Sequence, residues 1–243
     1  MVMCWKRSRR TRPVKVVRGT IALGGLLLLA LGGGRGLGAG LVPGKLRGTD
    51  ADNRVVVLNR PGVVTVVIGT SEDSQDAARR AGVAMYPFEG RTDFQLIVVV
   101  DLRDSIATWA PSIVTSQMRS SLDEEAINLK PWFLKNGNHS NPRWTSHVIP
   151  DFSGTTCPQL GWTKTSDELR AIIFGGDGRE FRRWDKAEDM VALFNGVRDA
   201  ILANIEANRA RAAAAAKIPG RTTALSPRLP PVPPPEAEPV NGN

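Results

Sequence analysis

The chain has 243 residues, 42% of them hydrophobic, which is enough for one globular domain with extensions. Its formal charge of +8 is confined to one end: residues 1–47 hold ten Lys or Arg and no acid, leaving 22 bases against 24 acids in the remaining 196. A body with a net charge of −2 has no bulk field to draw it to phosphate backbones, which excludes a nucleic-acid-binding reading.

The basic end reads as a leader. Lys6, Arg7, Arg9, Arg10, Arg12, Lys15 and Arg18 precede an eleven-residue apolar run, 21–31, and then Gly32-Gly33-Gly34. A membrane-spanning helix wants about 20 apolar residues. This run is short and glycine-rich, so it fits a signal-peptide core cleaved near Leu37-Gly38-Ala39. The alternative is an uncleaved anchor, attaching the chain to a membrane through residues 19–34. Ser8-Arg9-Arg10 is compatible with a twin-arginine signal. Either way the positive flank stays inside and the rest is exported. Residues 1–40 are therefore assigned to the signal or anchor, and the polar stretch 41–54 to a linker.

Only Cys4 and Cys157 are present, and Cys4 lies in the leader. One thiol cannot form an internal disulfide, and the chain has no C-x-x-C. The common state of such a cysteine is a buried small hydrophobe.

In chain order, Val55-Val56-Val57-Leu58 reads as a short strand ended by Asn59-Arg60-Pro61-Gly62. The run VVTVVI, 63–68, is apolar nearly throughout and reads as a central buried strand. A helix is expected from Thr70 or Ser71, either of which could cap it, to about Gly82. LIVVV, 96–100, is a second buried strand ending at Asp101 and Asp104. Pro111 opens a helix through Ile127, and residues 130–143 read as a long loop. His147 to Asp151 is a third strand. Ala171 to Phe174, the turn Gly175-Gly176-Asp177-Gly178 and Glu180 to Trp184 form a hairpin. Met190, Val191, Phe194, Val197, Ile201 and Ile205 then recur at helical spacing. Strands alternating with helices call for parallel pairing, with the hairpin adding antiparallel strands. The domain occupies 55–208. Residues 209–243 form an Ala-rich helical extension, stopped by Pro219-Gly220, and a Pro-rich disordered tail.

These segments together resemble the thioredoxin superfamily. VVTVVIGTSEDSQDAARRAG stands in the place of the first core strand and helix, and LIVVVDLR in that of the next strand. RAIIFGGDGREFRRWDKAEDMVALFNGVRDAI stands in the place of the closing hairpin and helix. Within the superfamily the chain is most similar to the YtfJ-like exported bacterial proteins, through GTSEDSQDAAR, IVVVDLRDSI, SQMRSSLDEE and HVIPDFSGTTCPQLGW. The resemblance spans about Val55 to Ile205. It implies a thioredoxin-like α/β fold, with a mixed central sheet flanked by helices and a closing β-hairpin plus C-terminal helix. It also implies a location in the bacterial periplasm.

The departures from active thioredoxins bear on chemistry. Their redox pair sits between the first core strand and its helix, where the helix dipole lowers a thiol pKa. Here that position reads Gly69-Thr70-Ser71-Glu72-Asp73-Ser74. The cis-proline that thioredoxins place before the hairpin is replaced by Asp167-Glu168-Leu169. A peroxidase would need a threonine three residues before its cysteine, in the early loop. Gly154 stands three before Cys157, and the segment is late in the fold.

Other constellations are sparse. His139 and His147 have no companion ligands at metal spacing, so no metal and no cofactor are expected. Asp101 and Asp104 follow a strand end, where α/β folds place functional groups. The glycines 175–178 lack the Lys-Ser/Thr of a phosphate loop and read as turn chemistry. Trp132, Phe133, Trp144 and Trp162 gather in sequence around the expected long loop and are the candidate binding residues. Trp anchors interfaces, although rings covering a sheet edge as core is the commoner arrangement. The expectation is an exported, redox-inactive accessory or binding protein. Its partner would be a protein of the envelope or membrane, reached through the tryptophans, the Ala-rich helix or the tail. The alternative is a single-thiol redox enzyme using Cys157.

Overall fold

The structure is a computed structural model that describes residues 42–216. The leader, Cys4, the membrane attachment through 19–34 and the Pro-rich tail all lie outside the described residues. No helix among the described residues is long and apolar enough to cross a membrane.

Among the described residues the strands and α-helices follow in the order β1 (Arg47–Thr49), β2 (Val55–Val57), β3 (Val64–Thr70), α1 (Gln75–Met85), β4 (Phe94–Asp101), α2 (Pro111–Lys135), β5 (His147–Asp151), β6 (Arg170–Phe174), β7 (Glu180–Trp184) and α3 (Met190–Ala216). Five strands form one sheet in the order β5-β4-β3-β6-β7. β3 and β4, and β4 and β5, run parallel, while β6 is antiparallel to both β3 and β7. This mixed sheet, closed by an antiparallel hairpin and a terminal helix, is a thioredoxin-like α/β architecture. β3 is central, and all seven of its residues are buried, which is why its sequence shows no polar alternation.

Each face of the sheet has its own core. The crossovers β3-α1-β4 and β4-α2-β5 step in the same direction, so right-handed connections put α1 and α2 on one face. There Val64, Val66 and Ile68 meet Ala78, Ala81 and Met85 of α1 and Leu193, Val197 and Ile201 of α3. On the other face Val67, Ile97, Ile149, Ile172 and Phe174 meet no long helix. Leu46, Val56 and Leu58 of the first hairpin cover them, together with Cys157, Leu160 and Trp162. Complete burial of each such side chain stabilises by about 1.5–3 kcal/mol.

The first hairpin corrects the linker expectation. Residues 46–51 contain strand β1, paired antiparallel with β2, and the buried residues Leu46, Asp50 and Ala51. The Asp50 carboxylate accepts from the backbone N–H groups of Asp52 and Arg54 at 3.0 and 2.8 Å. It also accepts from the Arg54 guanidinium at 2.8 Å and pairs with His147 Nδ1 at 2.9 Å. Burial pushes the His147 pKa down, so at neutral pH the imidazole is the neutral Nδ1–H donor to this carboxylate. Arg143 donates to Asp52 at 2.7 and 2.9 Å and to Asp123 of α2 at 2.6 Å. The Ala51 N–H donates to the Val148 carbonyl at 2.8 Å. The hairpin is thereby pinned to β5 and α2.

Three helix expectations also change. α1 begins at Gln75 rather than at the junction, because β3 continues to Thr70. α2 passes through Pro131 and ends at Lys135, so the first part of the expected loop, 130–135, is helix, and the loop proper shrinks to 136–141 before the short turn Pro142–Trp144. Leu122, Ala126, Leu129 and Phe133 supply the buried stripe that carries it past the proline. In α3 the buried line runs through Leu193, Val197, Ala200 and Ile201, which leaves Val191 exposed.

Candidate functional site

The C-terminal end of β3 faces the start of α1, the position at which the resemblance places reactive thiols. Here a knot of hydroxyl groups fills it. The Ser71 N–H donates to Ser74 Oγ at 2.9 Å, and the Thr70 and Ser74 hydroxyls lie 2.9 Å apart. Thr70 Oγ1 also donates to the Ser71 carbonyl at 3.1 Å. Glu72 is bound by the Ser105 hydroxyl. Thr70 and Ser74 are both buried. Ser74 occupies the N-cap position but makes no side-chain cap bond, since its oxygen is turned back onto the junction. Neither Thr70 nor Ser71 caps the helix, contrary to expectation. Alcohol and carboxylate groups so tied can position neighbouring chain, but they supply no group that forms or breaks a disulfide.

The approach to β6 lies in trans throughout, as no cis peptide bond occurs among the described residues. Leu169 is buried there, and its carbonyl accepts from the Ala187 N–H at 2.7 Å.

Cys157 follows β5 and is 1% exposed. Its N–H donates to the buried Asp151 carboxylate at 2.7 Å, and the same carboxylate accepts from the Thr155 and Thr156 N–H groups. Burial pushes the thiol pKa well above its ordinary value, and the charges of Asp101 and Asp151 push it further. A thiol so placed is not a thiolate at neutral pH, and the thiolate is the nucleophile. Asp101 is itself engaged, accepting from Arg103 at 2.9 and 2.7 Å. Arg103 in turn donates to the carbonyls of Trp162 and Thr163. Asp104 accepts from the Thr165 hydroxyl at 2.6 Å. Both aspartates tie the end of β4 to the segment before β6.

The four aromatic candidates do not form one surface. Phe133 is 1% exposed and packs over Gly90, and Trp162 is 3% exposed in the second core. A Cβ at Gly69 would come within 2.6 Å of the Trp162 ring, so the glycine makes room for it. Trp132 is half-buried on α2, 6.3 Å from the Tyr86 ring and 5.0 Å from Lys135 Nζ. Trp144 alone of the four is open, at 70% exposure. Sequence reasoning missed Trp109, in the turn Ile106–Trp109 just before α2, which is 91% exposed. Its only signal was a tryptophan set between a strand end and Pro111. His139 is exposed in the loop after α2, eight residues before His147, which is paired with Asp50. Among the described residues no group of His, Cys, Asp and Glu could hold a metal ion.

No known family description matches the chain, and no curated protein matches it in sequence. Solved structures do resemble it. A DsbF homologue from Corynebacterium diphtheriae is 12% identical, with a TM-score of 0.40 over 72% of this chain and 99% of that one. StoA from Bacillus subtilis is 9% identical, with a TM-score of 0.41 over 64% and 98%. The exposed lipoprotein thioredoxin Etrx1 from Streptococcus pneumoniae is 12% identical, with a TM-score of 0.39 over 63% and 98%. Identities this low say nothing of shared chemistry, and the fold assignment rests on the strand order and directions given above.

Proposed function

We propose that this chain is an exported, redox-inactive thioredoxin-like protein that serves as an accessory or binding subunit of a membrane or envelope complex in the bacterial periplasm. The observation that carries this reading is the Thr70–Ser74 junction. Hydroxyl groups bound to one another occupy the place where thiol chemistry would require a cysteine at a helix N-terminus. The alternative, a single-thiol enzyme using Cys157, is disfavoured by the burial of that sulfur and its raised pKa. Export rests on the leader, and the YtfJ-like relationship on the segments that resemble that family. Trp109 and Trp144 are exposed aromatic anchors of the kind that contact partners.

One preparation tests both halves of this reading. A Cys4→Ser chain is treated at neutral pH with a thiol reagent. Cys157 is expected to label only after denaturant is added, and rapid labelling of the native protein would restore the enzyme reading. The same chain is then cross-linked in solubilised membranes, with and without residues 209–243. Recovery of no partner by either form would end the accessory reading.

A further inference from the structure

Helix α2 carries two apolar lines, and the core takes only one of them. Leu122, Ala126, Leu129 and Phe133 face the domain and are buried. Ile113, Ile127 and Leu134 fall on the opposite side of the helix, 60%, 74% and 49% exposed. With Ser120 they recur at every seventh position, the repeat by which two helices pack along one seam. From Ile113 to Leu134 the line runs about 30 Å. Apolar side chains scattered singly on a surface are ordinary. A row of them at the repeat of a helix seam is not.

The N-terminal half of this line is shaped to receive a side chain. Ser112, Ile113, Ser116, Gln117 and Ser120 line a shallow surface hollow of about 380 Å³. Ile113, Ser116, Gln117 and Ser120 have the spacing of a hole into which a facing helix inserts one knob. Charge selects what faces it. From 106 to 122 the one charged residue is Arg119, which donates to the Ala51 carbonyl at 2.6 Å and lies 3.6 Å from Asp52. Asp123 and Glu124, then Lys130 and Lys135, follow along the helix. A second α2 laid in the same direction sets Glu124 beside Glu124 and Lys130 beside Lys130, and like charges so placed repel. Laid in reverse, it brings Asp123 and Glu124 level with Arg119 and Ser120 of the second copy. Both lysines then meet uncharged turns.

We infer that α2 is the contact helix of a two-fold homodimer, packed antiparallel on α2 of a second copy, with the axis at the level of Ser121 and Leu122. Ile127 of the second copy enters the hollow. Ile113 of the second copy settles between Ile127, Lys130, Pro131 and Leu134. Leu134 of the second copy comes level with Trp109, which is 91% exposed. A two-fold axis makes each of these contacts twice. The inference deepens the accessory reading by giving Trp109 a partner. It is tested on the purified chain alone, so a monomer there would overturn it and leave capture of other proteins from membranes to decide that reading.

The full-length Cys4→Ser chain is followed by sedimentation velocity in mild detergent. A contact of one helix on one helix is at the small end of interface sizes, so dimer is expected to replace monomer between about 1 and 200 µM. Ile127→Glu, an exposed change, is expected to leave the thermal melt unchanged. It should raise the dimer Kd by about a hundredfold or more, since two isoleucines lose their burial. Monomer throughout, or association untouched by Ile127→Glu, would overturn the contact. Direction is read with Gln117→Cys and Asn128→Cys in the same background, where Cys157 is 1% exposed. The two new thiols lie about 16 Å apart on one helix, beyond the span of a short bis-maleimide, but are neighbours across the antiparallel seam. The double variant is expected to give covalent dimer and each single variant only traces. As much dimer from Gln117→Cys alone would overturn the antiparallel packing.

Discussion

The two edges of the sheet are protected by opposite means. The β7 edge is short and charged, and its one ion pair is local: Arg183 donates to Glu180, three residues earlier, at 3.0 and 2.6 Å. Charge on a short edge strand blunts pairing with other chains. The β5 edge is instead wrapped by the first hairpin and held by contacts that span the chain, such as Asp50 with His147, 97 positions apart. The contrast shows that protection built from neighbours in sequence can be replaced piecemeal. Protection built on one buried carboxylate cannot.

The largest expected effect follows from that carboxylate. Asp50→Ala leaves Arg54, His147 and two backbone N–H groups without their acceptor, and should cost about 3–5 kcal/mol in urea denaturation. Arg182→Ala on β7 should stay within about 0.5 kcal/mol. Equal losses at the two edges would erase the comparison.

The helical layer sharpens it with a pH dependence. Glu89, after the turn Tyr86–Phe88, is buried facing Glu125 of α2. Burial foremost, and then the Glu125 charge, raise its carboxyl from 4.5 to about 8. The nearby Tyr86 hydroxyl is taken by Glu125, donating at 2.6 Å. The folded state therefore holds a proton that the unfolded chain gives up. Stability from this group is full below pH 4.5 and is lost as pH rises towards 8, at about 1.4 kcal/mol per unit. Glu89→Gln should remove that decline in denaturation midpoints recorded across the range. A decline that survives the substitution would assign the loss to another group.

Two glycines give smaller effects than the buried carboxylates, with opposite signs. Gly69→Ala drives a methyl into the Trp162 ring and should cost about 1–3 kcal/mol. Gly82→Ala, inside α1 with nothing within 4 Å, should stabilise by about 0.5–1 kcal/mol. Thermal melts of the pair separate contact from chain entropy.

Much of the frame was legible from local pattern. β3, β4 and β6 stand where their apolar runs place them, because buried strands carry a continuous apolar signal, and β7 follows from the glycine turn and its polar alternation. β1 was not legible: Arg47-Gly48-Thr49 has no apolar alternation and becomes a strand only by pairing with β2. The passage of α2 through Pro131 was hidden for a related reason. A proline breaks the local signal, while the buried Leu129 and Phe133 on either side of it are revealed only by packing. In the site, the missing thiol at the β3–α1 junction could be read directly. The burial of Phe133 and Trp162 and the openness of Trp109 could not.

By itself the sequence determined the alternation of strands and helices, the closing hairpin and the identity of the groups at the β3–α1 junction. All three depend on residue type and on neighbours a few positions apart. Only the tertiary structure decided that Cys157 is buried beside the Asp151 carboxylate, that Asp50 anchors the hairpin, and that Trp109 stands open before α2. Those outcomes depend on which distant segments come together. Burial, charge pairing and desolvation act on distance in space, and spacing along the chain does not encode it.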